Sequence, residues 1–191
     1  MRIVAGKNRG KSLTTPADQS IRPTGDRIRE SLFNILTSHL STGDGEPFAG
    51  IAVLDAFAGT GALGLEALSR GAARATFMEK DPGAQRLCQA NIRHLGETDN
   101  SKLVRCDVRH PPPADGACQL AILDPPYHQD LVEPALAALA EKGWIDDGAL
   151  VVVELPSREA SPKLEGFTPW DRREYGTTAL QFWRYQSLSD P

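Results

Sequence analysis

The chain is short of cysteine, of histidine and of long apolar runs, and each shortage removes a class of protein. Its three cysteines, Cys88, Cys106 and Cys118, form no C-x-x-C pair, and an odd number does not make a disulfide framework. The four histidines, His39, His94, His110 and His128, are scattered without metal-ligand spacing, so no metal is expected. No apolar run approaches the ~20 residues of a membrane span. The opening Met1-Arg2-Ile3-Val4-Ala5-Gly6-Lys7 lacks the apolar region of a secretory signal. The expectation is a soluble, reduced, cytoplasmic protein with no membrane partner.

Basic charge is also in deficit, since the net charge is −4, which by itself counts against a nucleic-acid partner. The distribution reverses that reading. Residues 1–30 carry Arg2, Lys7, Arg9, Lys11, Arg22, Arg27 and Arg29 against Asp18, Asp26 and Glu30, a local net of +4, so the remainder sums to −8. An acidic body with a basic N-terminal arm is the asymmetry expected where one small surface meets phosphates. These seven basic residues are the candidate nucleic-acid contacts.

What the sequence does have is hydrophobic content of 40%, enough for a core, in 191 residues, the size of one domain. It is organised around Val53-Leu54-Asp55-Ala56-Phe57-Ala58-Gly59-Thr60-Gly61-Ala62-Leu63-Gly64. An apolar run from Ile51 reads as a buried strand, followed by a glycine-rich turn and a helical stretch. That order is the nucleotide-binding half of a doubly wound α/β fold. Gly59 and Gly61 are expected to leave no Cβ between backbone and ligand. Twenty residues after Gly59 a second strand ends at Glu79, where a carboxylate can accept from both hydroxyls of a ribose. A third ends at Asp107 and a fourth at Asp124. Ligands of open α/β sheets bind outside the carboxyl ends of the strands, so four acids at one edge point to a site.

The remaining elements follow from periodicity and turn signals. Arg2–Ala5 and Ser12–Thr14 flank a Gly-bounded polar turn and read as a basic-tipped hairpin extension over residues 1–20. Ile28, Leu32, Ile35, Leu36 and Leu40 repeat at helical spacing, with Thr24 as a candidate N-cap, giving a helix within residues 21–42 that packs on the core. Helices are expected up to about Arg70, from Pro82 to Leu95, and from Leu131 to Lys142. His110-Pro111-Pro112-Pro113 excludes a helix after the third strand. Ala149–Glu154 reads as a fifth buried strand, and Phe167–Tyr185 as a terminal hairpin turning at Tyr175-Gly176-Thr177. No linker divides residues 1–191.

The segment Asp124-Pro125-Pro126-Tyr127 carries the chemistry. A nucleobase exocyclic amine is a poor nucleophile because its lone pair is delocalised into the ring. Two acceptors aimed at its hydrogens favour pyramidal geometry and direct the lone pair outward. Asp124 offers a carboxylate, the Pro125 carbonyl held by Pro126 a second acceptor, and Tyr127 a face for a flipped-out base.

Asp55-Ala56-Phe57-Ala58-Gly59-Thr60-Gly61 resembles motif I of class I S-adenosylmethionine-dependent methyltransferases, and Asp124-Pro125-Pro126-Tyr127 resembles their amino-group motif. More narrowly, Arg22-Pro23-Thr24-Gly25-Asp26-Arg27-Ile28-Arg29-Glu30-Ser31-Leu32-Phe33-Asn34, the stretch Gly59–Gly71 and Gly143-Trp144-Ile145 resemble the RsmD family, which methylates guanine N2 at position 966 of small-subunit (16S) ribosomal RNA. The resemblance covers most of the chain, more loosely in its last thirty residues. It implies a Rossmann-like class I fold: a mostly parallel seven-stranded sheet, helices on both faces and a C-terminal antiparallel hairpin. It places Asp55, Gly59 and Gly61 around the methionine part of S-adenosylmethionine, Glu79 on the ribose and Asp107 near the adenine amine, with Ala56, Phe57, Lys80 and Val108 also among the cofactor-binding residues. It makes Asp124, Pro125, Pro126 and Tyr127 face the acceptor base. The implied partner is ribosomal RNA, within the small subunit or an assembly intermediate, met by a monomer.

Rival readings share part of the pattern. A DNA adenine-N6 methyltransferase uses the same Asp-Pro-Pro-Tyr, but such enzymes need extra sequence to read a DNA site. A protein-glutamine methyltransferase is expected to carry Asn where Asp124 stands. A nicotinamide oxidoreductase leaves Asp-Pro-Pro-Tyr unexplained, and a non-catalytic nucleic-acid-binding module has no use for the cofactor acids.

Overall fold

The computed structural model describes residues 1–16, 25–40, 46–127 and 129–187. Within them lie helix α1 (Asp26–Leu40), strand β1 (Ala52–Ala56), α2 (Ala62–Ser69), β2 (Arg74–Glu79), α3 (Pro82–Leu95), β3 (Ser101–Arg105), β4 (Cys118–Leu123), α4 (Val132–Glu141), β5 (Ile145–Pro156), β6 (Phe167–Tyr175) and β7 (Thr178–Tyr185). The strands form one sheet in the order β3-β2-β1-β4-β5-β7-β6. The first five are parallel, and β7 runs antiparallel between β5 and β6. The Rossmann-like class I architecture is therefore the one the sequence implied.

The sheet is covered on both faces, as parallel sheets must be, and alternate residues of one strand enter different cores. Val53 of β1 packs with Leu65, Leu68, Phe77, Ile92 and Phe33 on the face bearing α1, α2 and α3. Leu54, one residue on, packs with Leu136, Leu139, Trp144 and Trp183 on the face bearing α4. In α1 the apolar stripe buries Leu32 and Leu36, with Ile28, Ile35 and Leu40 partly covered beside them. The N-cap expected at Thr24 lies outside the described residues. In α3, Asp81 is the N-cap, its carboxylate accepting the Ala84 N–H at 2.7 Å, with Pro82 in the first turn.

Strand β5 is longer than the apolar run Ala149–Glu154 suggested. Its N-terminal end pairs Ile145 with Cys118 and, after a bulge in β5 itself, Leu150 with Leu120, and its C-terminal end pairs Pro156 with Thr178. The polar Asp146-Asp147-Gly148 interrupts the hydrophobic pattern where the strand bulges, with Gly148 at φ +76°. The strand order changes direction between β1 and β4, and the crevice at such a switch point is where a ligand enters.

The N-terminal segment is a hairpin closed by an Arg2–Ser12 bridge and by hydrogen bonds from Ile3 N–H to the Lys11 carbonyl and from Leu13 N–H to the Met1 carbonyl, both 3.0 Å. It does not project as an arm. It lies against the end of α2, with Lys7 N–H donating to the Ser69 carbonyl at 2.8 Å. Gly6 sits at φ +78°, and a Cβ there would come within 1.8 Å of the Ser69 carbonyl oxygen, so this approach is open to glycine alone.

Candidate active site

A cavity of about 800 Å³ opens at the carboxyl ends of β1, β2 and β4. Phe57, Gly59, Glu79, Lys80, Val108 and the whole of Asp124-Pro125-Pro126-Tyr127 line it. The parallel register makes this convergence: Ala56 lies beside Met78 in β2 and Leu123 in β4, so Glu79 and Asp124 emerge side by side around the turn that follows β1.

The turn is built by the acids it runs past. Glu79 accepts the Gly59 N–H at 2.9 Å with one carboxylate oxygen and the Asp81 N–H at 2.8 Å with the other. Ala58 N–H reaches the Met78 carbonyl at 2.9 Å, and Gly61 N–H turns back to the Ala58 carbonyl at 2.7 Å. Phe57 is held at φ +64°, a conformation unfavourable for an aromatic residue and found where surrounding structure over-determines the backbone.

Asp55 and Gly61 differ in placement from what the motif suggested. Asp55 is buried behind the turn, accepting the Gly64 N–H at 2.8 Å, and does not line the cavity. Burial pushes its carboxyl well above the usual range, the Gly64 bond opposes this, and the Asp124 and Glu79 charges add to the rise. The missing Cβ of Gly61 faces the protein rather than a ligand: it would meet the Cys88 sulfur at 2.8 Å and the Phe77 ring at 3.3 Å. Glycine is required there for the left-handed N-cap of α2 and for packing against β2 and α3. Ala56 is likewise internal, its carbonyl facing the Asp124 N–H at 3.4 Å.

Asp107 stands apart from the cavity wall although Cys106 and Val108 belong to it. Arg109 holds its carboxylate through Nε at 3.0 Å and Nη2 at 2.6 Å, and these hydrogen bonds keep the acid well below its usual range. Of the other residues expected to bind the cofactor, Val108 lies on the wall and Lys80 is exposed at its rim.

In the Asp-Pro-Pro-Tyr segment the Tyr127 hydroxyl donates to Glu154 Oε1 at 2.8 Å, and Thr178 Oγ1 lies 3.1 Å away. With its one proton given to Glu154, the phenol accepts from Thr178. Burial raises the Tyr127 pKa further, so the ring remains a neutral donor. Glu154 was missed as a site residue, although its signal was present: the strand read over Ala149–Glu154 ends in an acid, as the four before it do.

The basic residues divide. Arg2, Lys7, Arg9, Lys11 and Arg27 are exposed, and Arg22 lies outside the described residues. Lys7 is tied to Glu97 at 3.0 Å and Lys11 to Asn8 at 2.7 Å. Arg29 corrects the expectation of an RNA contact, because it is fully buried. Its guanidinium donates to the Arg2 carbonyl and lies 3.8 Å from Glu66, which is also buried and accepts the Val4 and Ala5 N–H groups and Arg70 Nε. Counting charge along a sequence does not separate a surface cation from one that balances an internal acid. Asn91, also missed, is buried in α3 and links Thr14 of the N-terminal segment to the Thr60 carbonyl in the glycine-rich turn. Its signal was a polar residue on the apolar face of Cys88, Ile92 and Leu95.

Together the cavity offers carboxylates at one end, apolar walls from Phe57, Leu63, Met78 and Val108, and an aromatic platform beside an acid. A sulfonium nucleoside fits these features: diol acceptors at Glu79, close backbone approach at Gly59, and apolar contact at Val108. Among the described residues no cluster of side chains is arranged to hold a metal ion, and no helix is long and apolar enough to cross a membrane.

A family model described as conserved hypothetical protein 95 matches residues 1–184. The Ribosomal RNA small subunit methyltransferase D of Haemophilus influenzae is 35% identical over 158 residues, covering 81% of this chain and 78% of that protein. Its Escherichia coli namesake is 37% identical over 155 residues, covering 81% and 74%. Among solved structures, the putative methyltransferase yhhF from Escherichia coli matches with a TM-score of 0.81 and 30% identity, over 98% of this chain and 99% of that one. An RNA methyltransferase from Salinibacter ruber, solved in complex with S-adenosyl-L-homocysteine, shares the fold with a TM-score of 0.64 at 16% identity, over 88% and 96%.

Proposed function

The chain belongs to the conserved hypothetical protein 95 family, the RsmD family, and from that premise we propose that it is an S-adenosylmethionine-dependent methyltransferase acting on the N2 amine of a guanine in small-subunit ribosomal RNA. The observation that carries the reading is one cavity shared by the Gly59–Glu79 clamp and the Asp124-Pro125-Pro126-Tyr127 segment. A nucleoside cofactor held at the first brings its reactive end toward the second.

Bound S-adenosylmethionine supplies an activated methyl group. The chain's part is to orient the acceptor. Asp124 and the Pro125 carbonyl draw the two amine hydrogens, and Tyr127 supports the base by stacking. The amine is already unprotonated at neutral pH, so Asp124 acts by orienting and polarising it. The surplus proton is acidic only after methyl transfer and leaves late, through Asp124 or water. Most of the rate comes from holding nitrogen, methyl carbon and sulfur in line.

Arg2, Arg9 and Arg27 with the hairpin lysines form the phosphate-binding surface, and the substrate is the small subunit or an assembly intermediate, met by a monomer in the cytoplasm. The test is methyl transfer from labelled cofactor to purified small subunits, naked ribosomal RNA and duplex DNA, with the modified nucleoside identified after digestion. N2-methylguanosine from a ribosomal substrate is expected. N6-methyladenine in duplex DNA would replace this reading with the rival one.

A further inference from the structure

We infer that Glu154 accepts the N1–H of the target guanine and so selects guanine over adenine at a motif whose chemistry serves either amine. The inference rests on the N2-methylation reading above and adds to it the residue that chooses the base.

The register supplies the geometry. Leu123 of β4 pairs with Val153 of β5 in a parallel ladder, so Asp124, just past the end of β4, and Glu154, still within β5, follow on neighbouring strands, about one strand spacing apart, ~4.8 Å. Both line the cavity. Glu154 also lines a second hollow of about 460 Å³ that shares Pro125, Pro126 and Tyr127 with the first, so it stands where an acceptor entering from the far side meets the cofactor. The Tyr127 hydroxyl and, behind it, the buried Thr178 fix the carboxylate's position through Oε1. The ring that supports the base thus also sets the acid beside it.

Two adjacent acceptors match the edge of guanine, on which the N2 amine and N1–H are adjacent donors. With N2 directed to Asp124, N1–H falls toward Glu154. Adenine presents its N6 amine beside N1, and that N1 carries a lone pair. Placed with N6 at Asp124, adenine sets this lone pair against the Glu154 carboxylate, so the pairing that rewards guanine repels adenine.

The test uses whichever RNA substrate the labelled-cofactor experiment identifies, with the target guanine replaced by 2-aminopurine, which keeps the N2 amine but has an acceptor at N1. Wild-type kcat/KM is expected to fall by roughly 10–100-fold, the range for losing one hydrogen bond to a charged group. Glu154→Gln presents an amide that donates to N1, and its guanine to 2-aminopurine ratio is expected to collapse to about threefold or less, or to invert, with S-adenosylmethionine binding unchanged as the check on folding. Glu154→Ala is expected to slow guanine methylation and to lose most of the discrimination. A wild-type ratio near one overturns the inference without any variant, and so does a Glu154→Gln enzyme that keeps the wild-type ratio. Guanine N2 methylation with an unchanged ratio overturns the role of Glu154 alone. A wild-type enzyme that methylates no guanine N2 overturns the proposed function and this inference with it.

Discussion

Glu66 and Glu97 on one side of the glycine-rich turn, and Asp55 and Glu79 on the other, put the same side-chain chemistry to opposite uses. Glu66 is buried with Arg29 and Arg70 close by, and buried Glu97 meets Lys7. Their charges are balanced by cations of the chain itself, and the result is a clamp that holds the N-terminal hairpin. Asp55 and Glu79 are held by neutral backbone N–H groups of Gly64, Gly59 and Asp81. Those bonds fix the carboxylates without supplying a counter-charge. An acid balanced by an internal cation is architecture, whereas of the other two Glu79 lines the cavity and Asp55 is buried behind the turn.

Exchanging the two sets is the way to break this distinction. The largest effect is expected from Glu66→Ala, which leaves Arg29 buried without that partner and should cost roughly 3–5 kcal/mol of unfolding free energy in urea titrations. A loss below about 1 kcal/mol would mean that the clamp is dispensable. Asp124→Ala should leave folding and cofactor binding largely intact while slowing single-turnover methyl transfer by on the order of 10²-fold, with Asp124→Asn intermediate because one acceptor remains. Equal inactivity of Asn and Ala, with the wild-type rate following a single carboxylate titration, would make Asp124 an obligatory base instead. Glu79→Ala should weaken S-adenosylmethionine by about 1–3 kcal/mol, measured by calorimetry. Unchanged affinity in a folded variant would move Glu79 from the ligand to the scaffold.

Two smaller effects sharpen the comparison. Neutralising Arg9 and Lys11 together should flatten the salt dependence of RNA binding by about 0.7–0.9 log units for each phosphate that is no longer neutralised, and Lys7 should add less because Glu97 already engages it. An unchanged slope would make the hairpin tip a solvated surface. Asp55 gives a pH signature. Its carboxyl is raised in the folded protein, so between the ordinary carboxylate value and the raised one the native state binds more protons than the unfolded chain, and stability falls as pH rises. Asp55→Asn removes that slope, so its stability relative to wild type should increase from acid to neutral pH in parallel denaturation curves. A constant difference would place the Asp55 charge in a more polar setting than its burial implies.

Much of this was legible in the sequence, and the rest was hidden for definite reasons. Strands that end in acids, the Gly59 turn and Asp-Pro-Pro-Tyr carry local signals, and the parallel sheet brought Glu79 and Asp124 to one cavity. The polarity of Asp146-Asp147-Gly148 concealed half of β5, because strand pairing there depends on Cys118 across the sheet. Arg29 was counted with the exposed basic residues because only the fold shows that Glu66 lies beneath it. Asp107 sat in the expected place along the chain, yet Arg109, two residues on, engages its carboxylate, which is not part of the cavity wall. Motif spacing locates a backbone, and the partner that captures a side chain is a property of three dimensions.

The position of β7 sets an order of events during synthesis. It enters the sheet between β5 and β6, carrying Phe182 into one core and Trp183 into the other. At roughly 5–20 residues per second on the ribosome, the C-terminal half of β5 waits a second or more for its antiparallel neighbour. Strand β6 emerges in that interval with no place yet to pair. During that wait the nascent chain exposes an apolar strand edge, and β7, translated after both of its neighbours, is the strand that seals it.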